Sequence, residues 1–201
     1  VKISVADKIN LKVRMIDCVG YLVSGAMGVE EGDKPRLVKT PWSSEDMPFE
    51  EAAEFGTKKV IEEHSTIGIV VTTDGTVTDL ERANYVAAEE QIVQDMKATG
   101  KPFVIVLNTK NPNKEECKKL AKSLQEKYDS QVVSMNVQEM KESDVDRIFE
   151  KMLLEFPITS IKVNMPKWLS ALPFSNPIIK EVVSEIKKFG NDLKKIGDTN
   201  K

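Results

Sequence analysis

Apolar and polar residues alternate from Val1 to Asp7 and again from Leu11 to Asp17, and the intervening Lys8, Ile9 and Asn10 are few enough for a hairpin turn. The pattern predicts two antiparallel strands. It breaks down from Val23 to Glu45, where Gly25, Gly28, Gly32, Pro35 and Pro41 are scattered among polar residues. A connection that long is either a functional lid or a disordered insert. Helical spacing returns over Phe49 to Glu62. Ile67 to Val71 is then a continuous apolar run of the kind buried in parallel sheets, and Thr72-Thr73-Asp74-Gly75 turns the chain after it. Ala83, Val86, Ala87, Val93 and Met96 share a helical face that Gly100 and Pro102 terminate. Phe103 to Leu107 reads as a second buried strand. Cys117, Leu120, Ala121, Leu124 and Tyr128 form the next helical face, and Gln131 to Met135 a third strand. Ser143 and Asp146 resemble a capping box for a helix whose core face is Val145, Ile148, Phe149, Met152, Leu153 and Phe156.

Strands alternating with helices across short turns predict an α/β fold: a three-layer sandwich around a mostly parallel sheet, with the first hairpin adding an antiparallel edge strand. Pro157 to Asn164 looks like a further strand, and Pro166 and Pro173 punctuate the segment after it. These breaks place a domain boundary at Phe156–Pro157, dividing the chain into 1–157 and 158–201. Asn176 and Pro177 open a long helix with Ile179, Val182, Val183, Ile186, Phe189 and Leu193 on one face, which needs a partner surface.

Composition narrows the function classes. The 201 residues are 40% hydrophobic and 30% charged, enough for one cored domain and an appendage. A net charge of −3 offers no global attraction to nucleic acid or anionic membrane. Cys18 and Cys117 have no metal-ligand spacing, which fits a reducing, cytosolic compartment. No apolar stretch approaches the roughly 20 residues of a membrane span. Val1 lies in a strand-like run, not at an initiator Met before a charged leader, so the sequence is expected to begin mid-protein without a signal peptide.

Candidate chemistry begins at Val13-Arg14-Met15-Ile16-Asp17-Cys18-Val19-Gly20, an apolar strand ending in a D-x-x-G spacing. In P-loop nucleotide hydrolases an Asp here reaches the Mg²⁺ shell through water, and the Gly amide approaches the γ-phosphate because no side chain intervenes. The hairpin before it, the long loop after it and the strands at Ile67 and Phe103 resemble a Ras-like G domain from its second strand onward. After the Phe103 strand comes Asn108-Thr109-Lys110-Asn111-Pro112. GTPases carry N-K-x-D there, and its Asp accepts two hydrogen bonds from guanine. Asn111 stands at the Asp position and Thr109 at the Lys position, which removes guanine selectivity and favours ATP. A polar turn ending a strand accounts for the same residues equally well. The nucleotide-binding candidates are therefore Asp17, Gly20, Asn108 and Lys110, with Asp17 also the Mg²⁺ candidate.

Several segments together resemble the stage IV sporulation protein A family. They are Asp17-Cys18-Val19-Gly20-Tyr21, Thr40-Pro41-Trp42, Glu51-Ala52-Ala53-Glu54, Glu63-His64-Ser65-Thr66-Ile67-Gly68, Thr72-Thr73-Asp74-Gly75-Thr76, Gly100-Lys101-Pro102-Phe103 and Glu142-Ser143-Asp144-Val145. The likeness runs in order to about Trp168 and thins beyond it. It implies a translation-factor-like ATPase using ATP and Mg²⁺, whose hydrolysis drives polymerisation into the basement layer of the spore coat. The location implied is the mother-cell cytoplasm at the forespore's outer surface. The partners implied are further copies of itself, a small amphipathic membrane-bound peptide and other coat proteins, reached mostly through regions outside this chain. Neither nucleic acid nor direct membrane insertion is implied. One departure matters: no G-x-x-x-x-G-K-[ST] occurs among the ten glycines. Family order places that loop upstream of Val1, so this stretch alone is expected to be inactive. A GTPase switch, and a degenerate fold kept as an assembly module, are the rival readings.

Other residues have plainer readings. His64, the only histidine, reads as a hydrogen-bonded helix terminator in preference to a general base. Thr40 lies downstream of Asp17, which argues against a switch threonine. Thr72, Thr73 and Asp74 could approach a nucleotide but are expected to cap the next helix; Trp42 and Phe49 could anchor a polymer contact but are expected to pack over the sheet; and Lys187, Lys188, Lys194 and Lys195 could meet an anionic partner but are expected to form a solvated face on the last helix.

Overall fold

The structure, a computed structural model, describes residues 2–5, 9–31 and 34–200. It divides into two compact units, Val1–Met152 and Leu153–Lys201.

The first unit opens with β1 (Lys2–Val5) and β2 (Ile9–Lys12), antiparallel with Val5 opposite Ile9 and Lys2 opposite Lys12. Ile9 and Asn10, expected in the turn, are strand, while Ala6 to Lys8 lie outside the described residues. The second strand stops at Lys12, well before Asp17, and Met15, Ile16 and Val19 beyond it are exposed. The hairpin forms its own two-stranded sheet, not an edge of the parallel one. An apolar segment becomes a strand only where a neighbour accepts its backbone hydrogen bonds, and no described strand does so here.

The expected long loop contains short ladders. β3 (Glu30–Glu31) pairs with β4 (Lys34–Pro35), and β5 (Leu37–Val38) with β6 (Met47–Pro48). Gly32 and Asp33 lie outside the described residues. α1 (Phe49–Lys59) follows and widens into a π turn over Val60–His64. Ser65 Oγ donates to the Ile61 carbonyl (2.8 Å), and Lys101 Nζ donates to the carbonyls of Ile61 (2.6 Å) and Glu62 (2.7 Å). Ser65 and Lys101 thus satisfy the turn's orphan acceptors, while the His64 side chain is exposed and bonds none of the described residues. Trp42 packs edge-on against Phe55 of α1 at 5.8 Å, and Arg36 lies over the ring of Phe49, the first residue of that helix. Gly56 of α1 lies against the indole, where a Cβ would make ordinary contact at 3.4 Å.

Next come β7 (Gly68–Thr73), α2 (Arg82–Thr99), β8 (Phe103–Asn108), α3 (Glu115–Tyr128), β9 (Val132–Met135) and α4 (Glu142–Leu154). The strands form a parallel sheet in the order β7-β8-β9, with Thr73 beside Asn108 and Asn108 beside Met135 at its carboxyl edge. β8 is central and buried from Phe103 to Leu107. One sheet face, with Val70, Ile105 and Leu107, shares a core with Val93 and Met96 of α2 and with Cys117 and Leu124 of α3. On the opposite face Val104 and Val106 are buried, whereas Ile69 and Val71 beside them are exposed, Val71 by 62%. β7 is therefore an edge strand with one open face, not the doubly covered strand its apolar run suggests.

The buried stripe of α2 also departs from the expected face. Ala83 and Ala87 are exposed, and Glu89 joins Val93 and Met96 inside. The Lys141 amide donates to Asp144 Oδ2 (3.0 Å), so the capping pair of α4 starts two residues earlier than Ser143 and Asp146.

In the second unit, α5 (Lys167–Ser170) precedes α6 (Pro177–Asp192), where Asn176 Oδ1 accepts the Ile178 amide (2.9 Å) and Pro177 occupies the first turn, as expected. Residues 158–166 form no regular strand. Ile158 N–H bonds the Lys194 carbonyl and Ile196 N–H the Phe156 carbonyl. Only Ile179 of the α6 face is buried. Lys187 and Lys188 lie on α6, while Lys194 and Lys195 come after it, with Lys195 paired to Glu155 at 3.0 Å. No helix among the described residues is long and apolar enough to cross a membrane.

Candidate functional site

In a parallel sheet with helices on its faces, ligands gather beyond the carboxyl ends of the strands. Here that rim is made by Thr73-Asp74, Asn108-Thr109 and Met135-Asn136. Asn108 Oδ1 accepts the Val137 amide (3.1 Å), and the Thr109 amide donates to the Met135 carbonyl (2.9 Å), tying β8 to β9.

On the other side Asp74 ties the same loop to β7. Its Oδ1 accepts from the Thr76 amide (3.0 Å) and hydroxyl (2.6 Å), and its Oδ2 accepts from the Thr109 hydroxyl (2.6 Å). Burial pushes the Asp74 carboxyl up, but the bonds from Thr109 and Thr76 outweigh it and hold the carboxyl below its ordinary range. Asp74 caps no helix: α2 begins after Glu81 without a side-chain cap. The expectation of a cap missed this role. An Asp two residues before a Thr does mark a local turn, but the long-range partner Thr109 is 35 positions away.

The turn itself needs a glycine. Gly75 has φ +87°, and a Cβ there would lie 2.8 Å from the Arg82 backbone nitrogen. Gly75→Ala is expected to destabilise the protein by about 1–3 kcal/mol, measured as a lowered urea midpoint.

Asn108 and Lys110 therefore stand together at the rim, Asn108 with its side chain engaged and Lys110 exposed beside Asn111. Asp17 and Gly20 lie on a separate segment, and among the described residues no hydrogen bond or ion pair joins them to that rim. Asp17 is exposed, and its Oδ1 accepts the Cys18 amide (3.0 Å). Gly20 has φ +82°, and its amide donates to the fully buried Thr57 Oγ1 (3.0 Å). Tyr21 donates to Asp95, and burial, followed by that bond and the Asp95 charge, pushes its pKa upward. Gly20 and Tyr21 are thereby anchored to α1 and α2. Among the described residues the buried Thr40 hydroxyl has no hydrogen-bond partner.

Among the described residues no group of three or more His, Cys, Asp or Glu side chains could hold a metal ion. A hydrated Mg²⁺ carried on phosphate oxygens would need only one or two protein carboxylates. Among the described residues only Oδ1 of Asp17 is engaged, so Oδ2 could meet such an ion. For a nucleotide base, the rim offers a fixed backbone and the exposed side chains of Lys110 and Asn111.

Comparison with known proteins places these features in a family. The profile described as "Stage IV sporulation protein A, ATPase domain" matches residues 1–157. The chain is 51% identical to "Stage IV sporulation protein A" of Clostridioides difficile (strain 630) over 198 residues, covering 98% of this chain and 40% of that protein. It is 42% identical to the Bacillus subtilis (strain 168) protein of the same name, covering 99% of this chain and 40% of the relative. Against the Bacillus anthracis protein the identity is 40%, over 100% and 41% of the two chains. The chain thus spans about two fifths of the length of these relatives. No solved structure matches it.

Proposed function

The chain belongs to the stage IV sporulation protein A ATPase-domain family, and from that premise we propose that it is the Mg²⁺-dependent ATP-hydrolysing region of a protein that assembles the spore coat's basement layer. The reaction is ATP and water to ADP and phosphate. Its product is a homopolymer on the forespore's outer surface, in the mother-cell cytoplasm. A small amphipathic membrane-bound peptide is its anchor, contacted through other regions of the protein.

The observation carrying this reading is the rim loop. Asn111 stands where a guanine-binding protein places a carboxylate, and the loop that holds it is fixed from both flanking strands. An amide side chain presents both a donor and an acceptor, as an adenine edge requires. Asp17 contributes its free oxygen toward hydrated Mg²⁺, and the Gly20 amide moves from Thr57 to a phosphate oxygen. When bound, Mg²⁺ neutralises charge building on the phosphate oxygens.

The phosphate-binding loop has no counterpart in these residues. Among the described residues the outer edge of β7 has no partner strand and Ile69 and Val71 are exposed, which suits the strand and helix that would carry such a loop in a three-layer P-loop arrangement. Hydrolysis assays on the full-length protein test the reading: ATP turnover is expected to exceed GTP turnover at least about tenfold. Preference for GTP would refute the base assignment. One observation favours the rival structural module, namely that Gly20 already spends its amide on Thr57.

A further inference from the structure

Two hydrogen-bond relays converge on one carboxylate at the sheet rim. The Lys110 amide donates to Thr76 Oγ1 (3.0 Å), and that hydroxyl donates to Asp74 Oδ1 (2.6 Å). The Asn111 amide donates to Thr109 Oγ1 (3.1 Å), and that hydroxyl donates to Asp74 Oδ2 (2.6 Å). The direction of every bond is forced. A carboxylate only accepts, so each threonine gives its single hydrogen to Asp74 and keeps lone pairs for the loop amides. Thr109 is fully buried, which strengthens the relay through it and makes a missing partner costly.

We propose that Asp74 is a positioning residue for the nucleotide base, fixing the Lys110–Asn111 backbone through Thr76 and Thr109 so that their exposed side chains read adenine. The proposal rests on the ATPase reading of the domain. It also assigns Thr109 a role: the residue at the Lys position of the guanine motif faces inward to Asp74 and touches no base. A carboxylate recruited only to close its own turn would stop at Thr76. Asp74 instead spends its second oxygen on the loop after β8, which Asn108 already secures from the β9 side. Lys110 and Asn111 keep their side chains in solvent while their amides are held. Fixing the backbone before the ligand arrives removes an ordering cost from binding, so the effect falls on affinity more than on the chemical step.

The test is steady-state kinetics of the full-length protein with Mg²⁺ and either ATP or GTP. Asp74→Ala is expected to raise KM for ATP about tenfold, leave kcat within about twofold, and shrink the preference for ATP over GTP. Asp74→Asn keeps one acceptor but offers N–H where the second hydroxyl needs an acceptor, so it recovers only part of the loss. Should Asp74→Ala fail to fold, Thr76→Val and Thr109→Val each cut one relay and carry the same expectation at smaller size. Unchanged KM in an active wild-type background overturns the proposal alone, as does a fall in kcat that tracks the folded fraction. A wild-type protein that turns over neither nucleotide overturns the ATPase reading and the proposal with it.

Discussion

Asp17→Ala in the full-length protein is expected to cut Mg²⁺-dependent ATP turnover by about a hundredfold or more, with the unfolding midpoint unchanged. The two halves of that result have separate causes. Asp17 is exposed and makes one local bond, to the Cys18 amide, so its removal costs the fold almost nothing. In the proposed function its second oxygen serves a hydrated Mg²⁺, so on that proposal the variant lacks the charge that would orient the ion. Assembly should fall in parallel. Hydrolysis that persists in the variant would remove Asp17 from the site, whatever became of polymerisation. Comparison with Asp17→Asn refines the result, because the amide keeps the size and the Cys18 contact but lacks the charge.

Glu89→Ala is expected to do the opposite, destabilising the protein by roughly 3–5 kcal/mol through the loss of one partner from a buried ionic cluster. Glu89 Oε2 meets Arg82 (2.6 Å) and accepts from Thr72 (2.6 Å), while Oε1 accepts from Tyr128 (2.8 Å). Arg82 also donates to Thr72 (3.2 Å), so α2, α3 and β7 are all pinned to one carboxylate. Alanine leaves a largely covered guanidinium and two hydroxyls without their acceptor. Glu89→Gln keeps the shape and should lose less. Urea unfolding measures both. The exposed Glu115–Lys118 pair on α3 is the control: Glu115→Ala should leave the midpoint where it was. An equal midpoint for Glu89→Ala and wild type would mean that the cluster contributes nothing net.

These two carboxylates show what a sequence carries and what it does not. Apolar runs and helical spacing located β7, β8, β9 and their helices, because the sheet and the α3 face obey simple periods. Glu89 broke the pattern: a charge on a core face is unreadable until Arg82, Thr72 and Tyr128 are known to surround it. The same blindness hid the role of Asp74, whose turn with Thr76 is local but whose bond to Thr109 crosses between strands. Residues 13–17 failed for another reason. They have strand-like alternation, yet alternation reports the capacity to pair, and pairing requires a neighbour. Residues 158–166 repeat the lesson in the second unit, where Ile161 and Val163 line an apolar groove with Ile186 and Phe189 but form no strand. The π turn after α1 was invisible as well, since Lys101 closes it from 40 residues away.

In the proposed function hydrolysis, and not mere folding, drives assembly. Sedimentation of the full-length protein with Mg²⁺ and ATP, with a non-hydrolysable ATP analogue, and without nucleotide tests it most directly. A pelletable polymer is expected with ATP alone. Equal pelleting under all three conditions would contradict it, leaving a structural module on a nucleotide-binding fold.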